Sequence, residues 1–254
     1  PSGAGKTTLC LAASGILHHE YGGKKEGRVL VDARDVLDYP DLTALAQKIG
    51  IVFDDPEAQM IFTTVEEEIL SAIEHRGLDA AATEERLATI ISTTYLGELR
   101  NRSPHNLSGG QKQRVALAAT LALGNDILIL DEPTSELDEH ATKRIVAILG
   151  DLKKQGKTIL LIEHKYSHFK DLVDTLVVME NGVVSAIGKP EDVLADDRLR
   201  KMVIADFSAI RTPVQQTPPA AESSGASNPD IQITNLSYAY GDIPALDAIN
   251  LAIR

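Results

Sequence analysis

Apolar residues along the first 211 positions alternate between two patterns. Short, nearly continuous apolar runs occupy 49–53, 127–130, 158–162 and 175–179, each bounded by polar or turn residues. Runs of this length predict strands buried on both faces of a largely parallel sheet. Between them, the longer segments 6–19, 65–76, 84–96, 111–123 and 139–155 space their apolar residues as helices do. The alternation predicts an α/β fold. One block departs from it: from about 64 to 101 the chain reads helical with no strand. This predicts an inserted helical subdomain of about 60–105 within a first domain of 1–211.

The pattern changes at Thr212. Residues 212–230 carry prolines at 213, 218, 219 and 229 with Ser and Ala around Gly225, which predicts a linker. Beyond it, 231–240 alternates like a strand, Gly241-Asp242 signals a turn, and 248–253 reads as a second strand. Twenty-four residues cannot form a domain, so 231–254 is expected to open a second one. Residues 231–238 and 248–254 are expected to pair antiparallel and to fill the sheet edge near 27–31, since a vacant edge exposes unpaired backbone groups.

Composition narrows the function classes. With 25 Lys+Arg against 37 Asp+Glu, the net charge over 254 residues is −12, which argues against a nucleic-acid-binding protein. The one cysteine, Cys10, excludes a disulfide framework and fits a reducing cytosol. The longest apolar stretch, 115–123, is nine residues and includes Thr120, too short to span a bilayer. The chain starts with Pro rather than Met and shows no signal-peptide pattern, so it is expected to begin within a longer sequence.

Candidate chemistry starts at the first residue. Pro1-Ser2-Gly3-Ala4-Gly5-Lys6-Thr7-Thr8 fits the end of a phosphate loop, whose first glycine would precede Pro1. Glycines let backbone N–H groups turn toward phosphates, and the following helix presents its positive end. Lys6 would reach the β and γ phosphates, and Thr7 would offer its hydroxyl to Mg²⁺. The run Ile127-Leu-Ile-Leu-Asp131-Glu132-Pro133-Thr134 is a buried strand ending in two acids. Asp131 can hold Mg²⁺, and Glu132 can orient or deprotonate an attacking water. Leu107-Ser108-Gly109-Gly110-Gln111 opens a helix with Ser108 as its cap and glycines baring N–H groups.

With these motifs at these spacings, the chain resembles an ABC-superfamily ATPase over 1–211, and the resemblance starts again at 231. LSGGQ matches the family signature, and Asp131-Glu132 its Walker B end. Ser135–Asp138 matches the D-loop, and His164 the switch histidine. The resemblance implies a P-loop NTPase fold with a mainly parallel sheet, the helical insertion and a small antiparallel β portion. It implies ATP and Mg²⁺ as ligands, sandwiched between two cassettes packed head to tail. The nucleotide would touch Ser2, Gly3, Ala4, Gly5, Lys6, Thr7 and Thr8 from one cassette. It would meet Ser108, Gly109, Gly110, Gln111 and Asp138 from the opposing one. His164 would contact the γ-phosphate, and Tyr240 falls where the family stacks an aromatic ring on adenine.

Lys6 and Ser108 are 102 residues apart, which leaves no room for a long coiled coil and argues against repair and chromosome-structure ATPases. The segments 49–59 and 63–69 look like energy-coupling-factor ATPases, which power vitamin or cobalt and nickel uptake. Partners would then be transmembrane transporter subunits and a second ABC domain, with no nucleic acid, at the cytoplasmic face of the membrane. One departure stands out: Asp54 follows Phe53 where the family has glutamine. A carboxylate there is either an Mg²⁺ ligand or a repulsive charge near the γ-phosphate. Gln59 is retained as the family's second glutamine, near the membrane-protein contact. Two alternatives stay open: a soluble tandem ABC ATPase acting on ribosomes or nucleic acid, and a degenerate regulatory nucleotide-binding module.

Overall fold

A computed structural model describes residues 3–204, 230–240 and 243–253. In chain order the elements are α1 (Lys6–Ala13), α2 (Ile16–His19), β1 (Lys24–Val31), β2 (Arg34–Asp35), α3 (Leu42–Ala46), β3 (Ile49–Val52), α4 (Val65–Glu74), α5 (Ala80–Thr93) and α6 (Gly109–Ala122). They continue as β4 (Ile127–Asp131), α7 (Glu139–Lys154), β5 (Thr158–Ile162), β6 (Leu176–Glu180), β7 (Val183–Gly188), α8 (Pro190–Val193), α9 (Asp197–Ile204), β8 (Ile231–Tyr240) and β9 (Ile243–Ile253). The chain divides into two compact units, one of residues 1–40 with 164–254 and one of Asp41–Glu163.

The contiguous unit holds a parallel sheet in the order β3-β4-β5. Ile127–Asp131 is buried along its whole length, as a central strand covered on both faces must be. Helix α6 packs against β3, and α7 against both β5 and α6. Leu117, Ala118 and Leu121 of α6 and Ile145, Ile148 and Leu149 of α7 are core residues. Local chemistry sets the helix starts. Thr64 and Glu67 form a reciprocal capping box at α4. Asp41, Asp79 and Asp138 each accept a backbone N–H at the starts of α3, α5 and α7. Between 64 and 106 the regular structure is α4, α5 and two short 3₁₀ turns joined by turns and short irregular segments, with no strand. Arg114 of α6 ties this block in: its buried guanidinium donates to the Thr94 and Tyr95 carbonyls at the end of α5.

The other unit is mainly antiparallel. A four-stranded sheet runs β2-β1-β8-β9, and β6 pairs with β7. Strand β8 lies on β1 in the register Val29↔Ile233 and Val31↔Ile231, as expected for 231–238 on 27–31. Strand β9 is longer than expected, beginning at Ile243 rather than 248. The residues after Ile243 pair with Tyr240 through Tyr238 despite register shifts near Leu236 and Tyr238. Ile231, Ile233, Leu236, Tyr238, Ile249 and Leu251 are buried, so the alternation marks a true inner face. The run at 175–179 is corrected: it forms one arm of the β6–β7 hairpin rather than a strand of the parallel sheet. The continuous helix expected over 6–19 breaks at Ser14 and Gly15, whose φ is 77°. Linker residues 212–229, with Pro1, Ser2, Gly241, Asp242 and Arg254, lie outside the described residues.

Candidate functional site

In the unit of 1–40 and 164–254, the phosphate-loop residues end on the first turn of α1. Gly3 and Gly5 have φ of 75° and 89°. Gly5 is the N-cap of α1, with no side chain capping the helix and no acid in its first turn. The leading N–H groups therefore keep the partial positive charge that favours an anion. Lys6 is half-buried, Thr7 exposed, and Thr8 and Cys10 buried. Of the predicted nucleotide contacts here, Ser2 lies outside the described residues.

The loop rests on a support that the sequence motifs do not announce. The N–H of Gly182, in the β6–β7 turn, donates to the Ala4 carbonyl at 3.1 Å, and the Gly182 carbonyl accepts from Asp247 of β9 at 2.9 Å. Gly182 has φ of 80°, and a Cβ there would lie 2.6 Å from the Ala245 carbonyl oxygen. A side chain at Gly5 would meet the same oxygen at 2.7 Å. Only glycine fits either position, because both the dihedral and the neighbouring backbone exclude a Cβ. The Asn181-Gly182 pair was the available signal, a turn dipeptide between two apolar runs.

Tyr240, predicted to stack on adenine, is 40% exposed. Its ring stands edge-on to Tyr238 at 4.8 Å and to Tyr21 at 6.5 Å. Tyr238 is buried and donates its hydroxyl to the Gly22 carbonyl at 2.8 Å, which anchors the cluster. His164 belongs to this unit and is half-buried, while His168 lies in a short 3₁₀ turn. The two do not share an α-helix face, and no metal-binding group of three His, Cys, Asp or Glu occurs among the described residues.

In the unit of Asp41–Glu163, strand β4 carries Asp131 and delivers Glu132. Asp131 is 2% exposed. Glu132 has φ of 49°, a left-handed conformation that costs a non-glycine residue about 1–2 kcal/mol. Its N–H donates to the Ile162 carbonyl at the end of β5, and its own carbonyl accepts from Ser135. Beyond it, Asp138 uses Oδ1 to accept the Ala141 N–H at 2.7 Å, so this predicted nucleotide contact also starts α7. Thr134 is almost fully buried, and both its N–H and its hydroxyl donate to Oε1 of Glu163, at 2.9 and 2.6 Å. Neither Thr134 nor Glu163 was singled out from sequence. The signal was an acid ending an apolar strand just before His164.

The signature residues open α6. The Ser108 N–H donates to Oε1 of Gln111 at 3.0 Å. A Cβ on Gly110 would lie 2.5 Å from Cβ of Ala141, so the second signature glycine lets α6 and α7 approach. Lys112 pairs with Glu57 at 2.6 Å, with His105 3.8 Å from the same carboxylate. The Lys112 hydrogen bond holds the Glu57 carboxyl below the usual glutamate range. Glu57 starts the turn that carries Gln59, which bridges the end of β3 by accepting from Phe53 N–H and donating to the Ile51 carbonyl. Asp54 is exposed, with Oδ1 accepting the Asp55 N–H at 3.0 Å. Next along the chain, the buried Glu68 carboxylate accepts the N–H groups of Ile61 and Phe62. The Ile61 side chain is left 80% exposed.

Asp131, Asp54 and the Thr7 hydroxyl are hard oxygen donors, the type that suits Mg²⁺ alongside phosphate oxygens. Taken singly, in its own unit, each donor is of a type that fits the metal that the motifs imply.

Comparison with known proteins agrees with the motifs. The family described as ABC transporter matches residues 1–135. The chain is 43% identical over 258 residues to an ABC transporter ATP-binding protein of Methanosarcina mazei, covering 100% of this chain and 49% of that protein. It is 37% identical over 206 residues to the energy-coupling factor transporter ATP-binding protein EcfA1 of Symbiobacterium thermophilum, covering 79% of this chain and 69% of the relative. Among solved structures, CbiO1 of Clostridium perfringens, part of the ABC transporter complex CbiONQ, is similar with a TM-score of 0.69 and 32% identity, covering 79% of each chain. The chain spans about half the length of the Methanosarcina relatives it matches.

Proposed function

Because the chain belongs to the ABC transporter family of ATP-binding proteins, we propose that it binds and hydrolyses ATP to drive an energy-coupling-factor importer of a vitamin or metal ion. The observation that carries this reading is the conformation of Glu132. An acid held at positive φ beyond a buried strand, its N–H fixed to the neighbouring strand, is strain kept where a water must be oriented. Lys6 and the uncapped start of α1 bind the β and γ phosphates. Thr7 from one unit and Asp131 from the other would each be a Mg²⁺ ligand, and the metal would supply charge neutralisation on the phosphates when bound; Asp54 would be either a further ligand or a repulsive charge near the γ-phosphate. His164 contacts the γ-phosphate, and Tyr240 offers its exposed ring to adenine.

Residues 1–211 serve as a first cassette, 212–230 as the linker, and 231–254 as the opening strands of a second. The Methanosarcina mazei relative, about twice as long and similar over this whole chain, supports that division. Ser108–Gln111 and Asp138 face the nucleotide of the paired cassette. Exposed Ile61 and Phe62, presented by Glu68 next to Gln59, offer an apolar contact to transmembrane subunits. Among the described residues no helix is long and apolar enough to cross a membrane, and in this reading the chain sits at the cytoplasmic face through contact with those subunits.

Glu132→Gln tests the catalytic part. The variant is expected to bind ATP and retain it unhydrolysed; normal turnover would show that another group orients the water. Affinity capture from membranes tests the transport part: transporter subunits are expected, and capture of ribosomes instead would overturn it.

A further inference from the structure

We propose that Glu163 is a positioning residue for ATP hydrolysis, fastening the loop that aims Glu132 by gripping Thr134. The inference rests on the reading of Glu132 as the water-orienting acid and adds a residue that none of the sequence motifs contains.

The loop after β4 must hold Glu132 in a conformation that the isolated chain disfavours, φ 49°. One restraint is the bond from Glu132 N–H to the Ile162 carbonyl. That bond fixes the near end of the loop. The second restraint is two residues on. Oε1 of Glu163 accepts both the backbone N–H of Thr134, at 2.9 Å, and its hydroxyl, at 2.6 Å. A carboxylate only accepts, so the hydroxyl hydrogen must point at it and the Thr134 rotamer is set. Hydrogen bonds to an ionised acceptor are about twice as strong as neutral ones, and 2.6 Å is within the range for O–H···O⁻.

Thr134 is 1% exposed, so no water replaces this partner without opening the loop. Thr134 is also a junction. Its carbonyl accepts from Leu137 N–H, and the Glu132 carbonyl accepts from Ser135 N–H. The same anchor therefore restrains Glu132 on one side and the approach to Asp138 on the other. Ile162 and Glu163 are consecutive, so the end of β5 supplies both restraints.

The role differs from general stabilisation in what it should move. Loosening this loop leaves Lys6 and α1 unchanged, so ATP affinity should hold while the chemical step slows. The test measures kcat and KM for ATP in the assembled, full-length protein. The variants are Glu163→Ala, Glu163→Gln, Thr134→Val, Thr134→Ser and the double Glu163→Ala/Thr134→Val.

Glu163→Ala is expected to lower kcat by about ten- to a hundredfold with KM within about twofold. Glu163→Gln keeps an acceptor and is expected to recover part of the loss, and Thr134→Ser nearly all activity. The double variant should be no slower than Glu163→Ala, because both substitutions break one anchor. Unchanged kcat in a folded Glu163→Ala would overturn the proposal while leaving the ATPase reading intact. Equal losses in kcat and in nucleotide affinity, or additive losses in the double variant, would also overturn it in favour of a structural role. A parent protein that neither binds nor hydrolyses ATP would overturn both.

Discussion

Replacing Gly182 by alanine tests whether the β6–β7 turn supports the phosphate loop. The added Cβ would sit 2.6 Å from the Ala245 carbonyl oxygen and 3.1 Å from its carbon, both backbone atoms that no rotamer change can move. A φ of 80° is itself costly for alanine, about 1–2 kcal/mol. Overpacking against fixed backbone adds about 1–3 kcal/mol if nothing moves. The easier escape is for the turn to swing away, which breaks the bonds to Ala4 and Asp247 at about 1 kcal/mol each. Either route costs roughly 2–5 kcal/mol. The second releases the Ala4 carbonyl and unsettles the N–H groups ahead of Lys6.

The expected outcome is a lower urea unfolding midpoint together with at least about tenfold weaker ATP binding by titration calorimetry, the equivalent of 1.4 kcal/mol. Val183→Ala, in the same hairpin but with no new clash, serves as the control and should keep ATP affinity. A Gly182→Ala protein with parental stability and parental affinity would refute the reasoning, because it would mean that the turn and the loop are not mechanically joined.

Lys6→Ala should weaken ATP binding by at least about tenfold, since it removes the side-chain cation placed on the β and γ phosphates; equilibrium titration reads this directly. Asp54→Gln should raise hydrolysis a few-fold in the assembled protein, roughly 0.5–1 kcal/mol for removing one exposed like charge, whereas a fall would mark the carboxylate as a working Mg²⁺ ligand. Glu66 is held below its ordinary value of 4.5 first by its hydrogen bond to Arg100. With the folded pKa lowered, this pair's stabilisation is fully present above about pH 4.5 and is lost as pH falls through the lower folded value. Both groups are partly exposed, so Glu66→Gln should cost under about 1 kcal/mol at pH 7 and flatten the acid side of the pH–stability curve.

Periodicity and caps made most of the contiguous unit legible. β5 falls on 158–162 as expected, and α7 starts where Asp138 caps it. What escaped depends on partners distant in sequence or on single backbone conformations. Gly15 splits the first helix because it takes a left-handed φ, which apolar spacing does not register. Helix α5 starts four residues early, at Ala80, because Asp79 caps a polar, alanine-rich turn with no apolar stripe of its own. The first half of β1, Lys24 to Gly27, is polar and reads as loop. It becomes a strand because Tyr238 and Ala239 offer it backbone partners. At the candidate site, the motif residues stand out in the sequence because phosphate and water chemistry restricts their types and spacing. Glu163 and Gly182 were not, because their importance lies in which carbonyl or hydroxyl the fold sets beside them.

The pairing of β1 with β8 also has a kinetic meaning. Val31 meets Ile231 about two hundred positions along the chain, so this sheet cannot form by growth from a local turn. The parallel sheet and the helices α3 to α7 are contained within Asp41–Glu163. Closing a long flexible loop costs about 0.6 kcal/mol more for each doubling of its length, and long-range pairing slows folding for the same reason. The contiguous unit is therefore positioned to condense first and to shorten the free chain between β1 and β8. The order of appearance would be the parallel sheet, then the antiparallel one. In pulse-labelling hydrogen exchange, the amides of β4 and β5 should gain protection before those of β1 and β8.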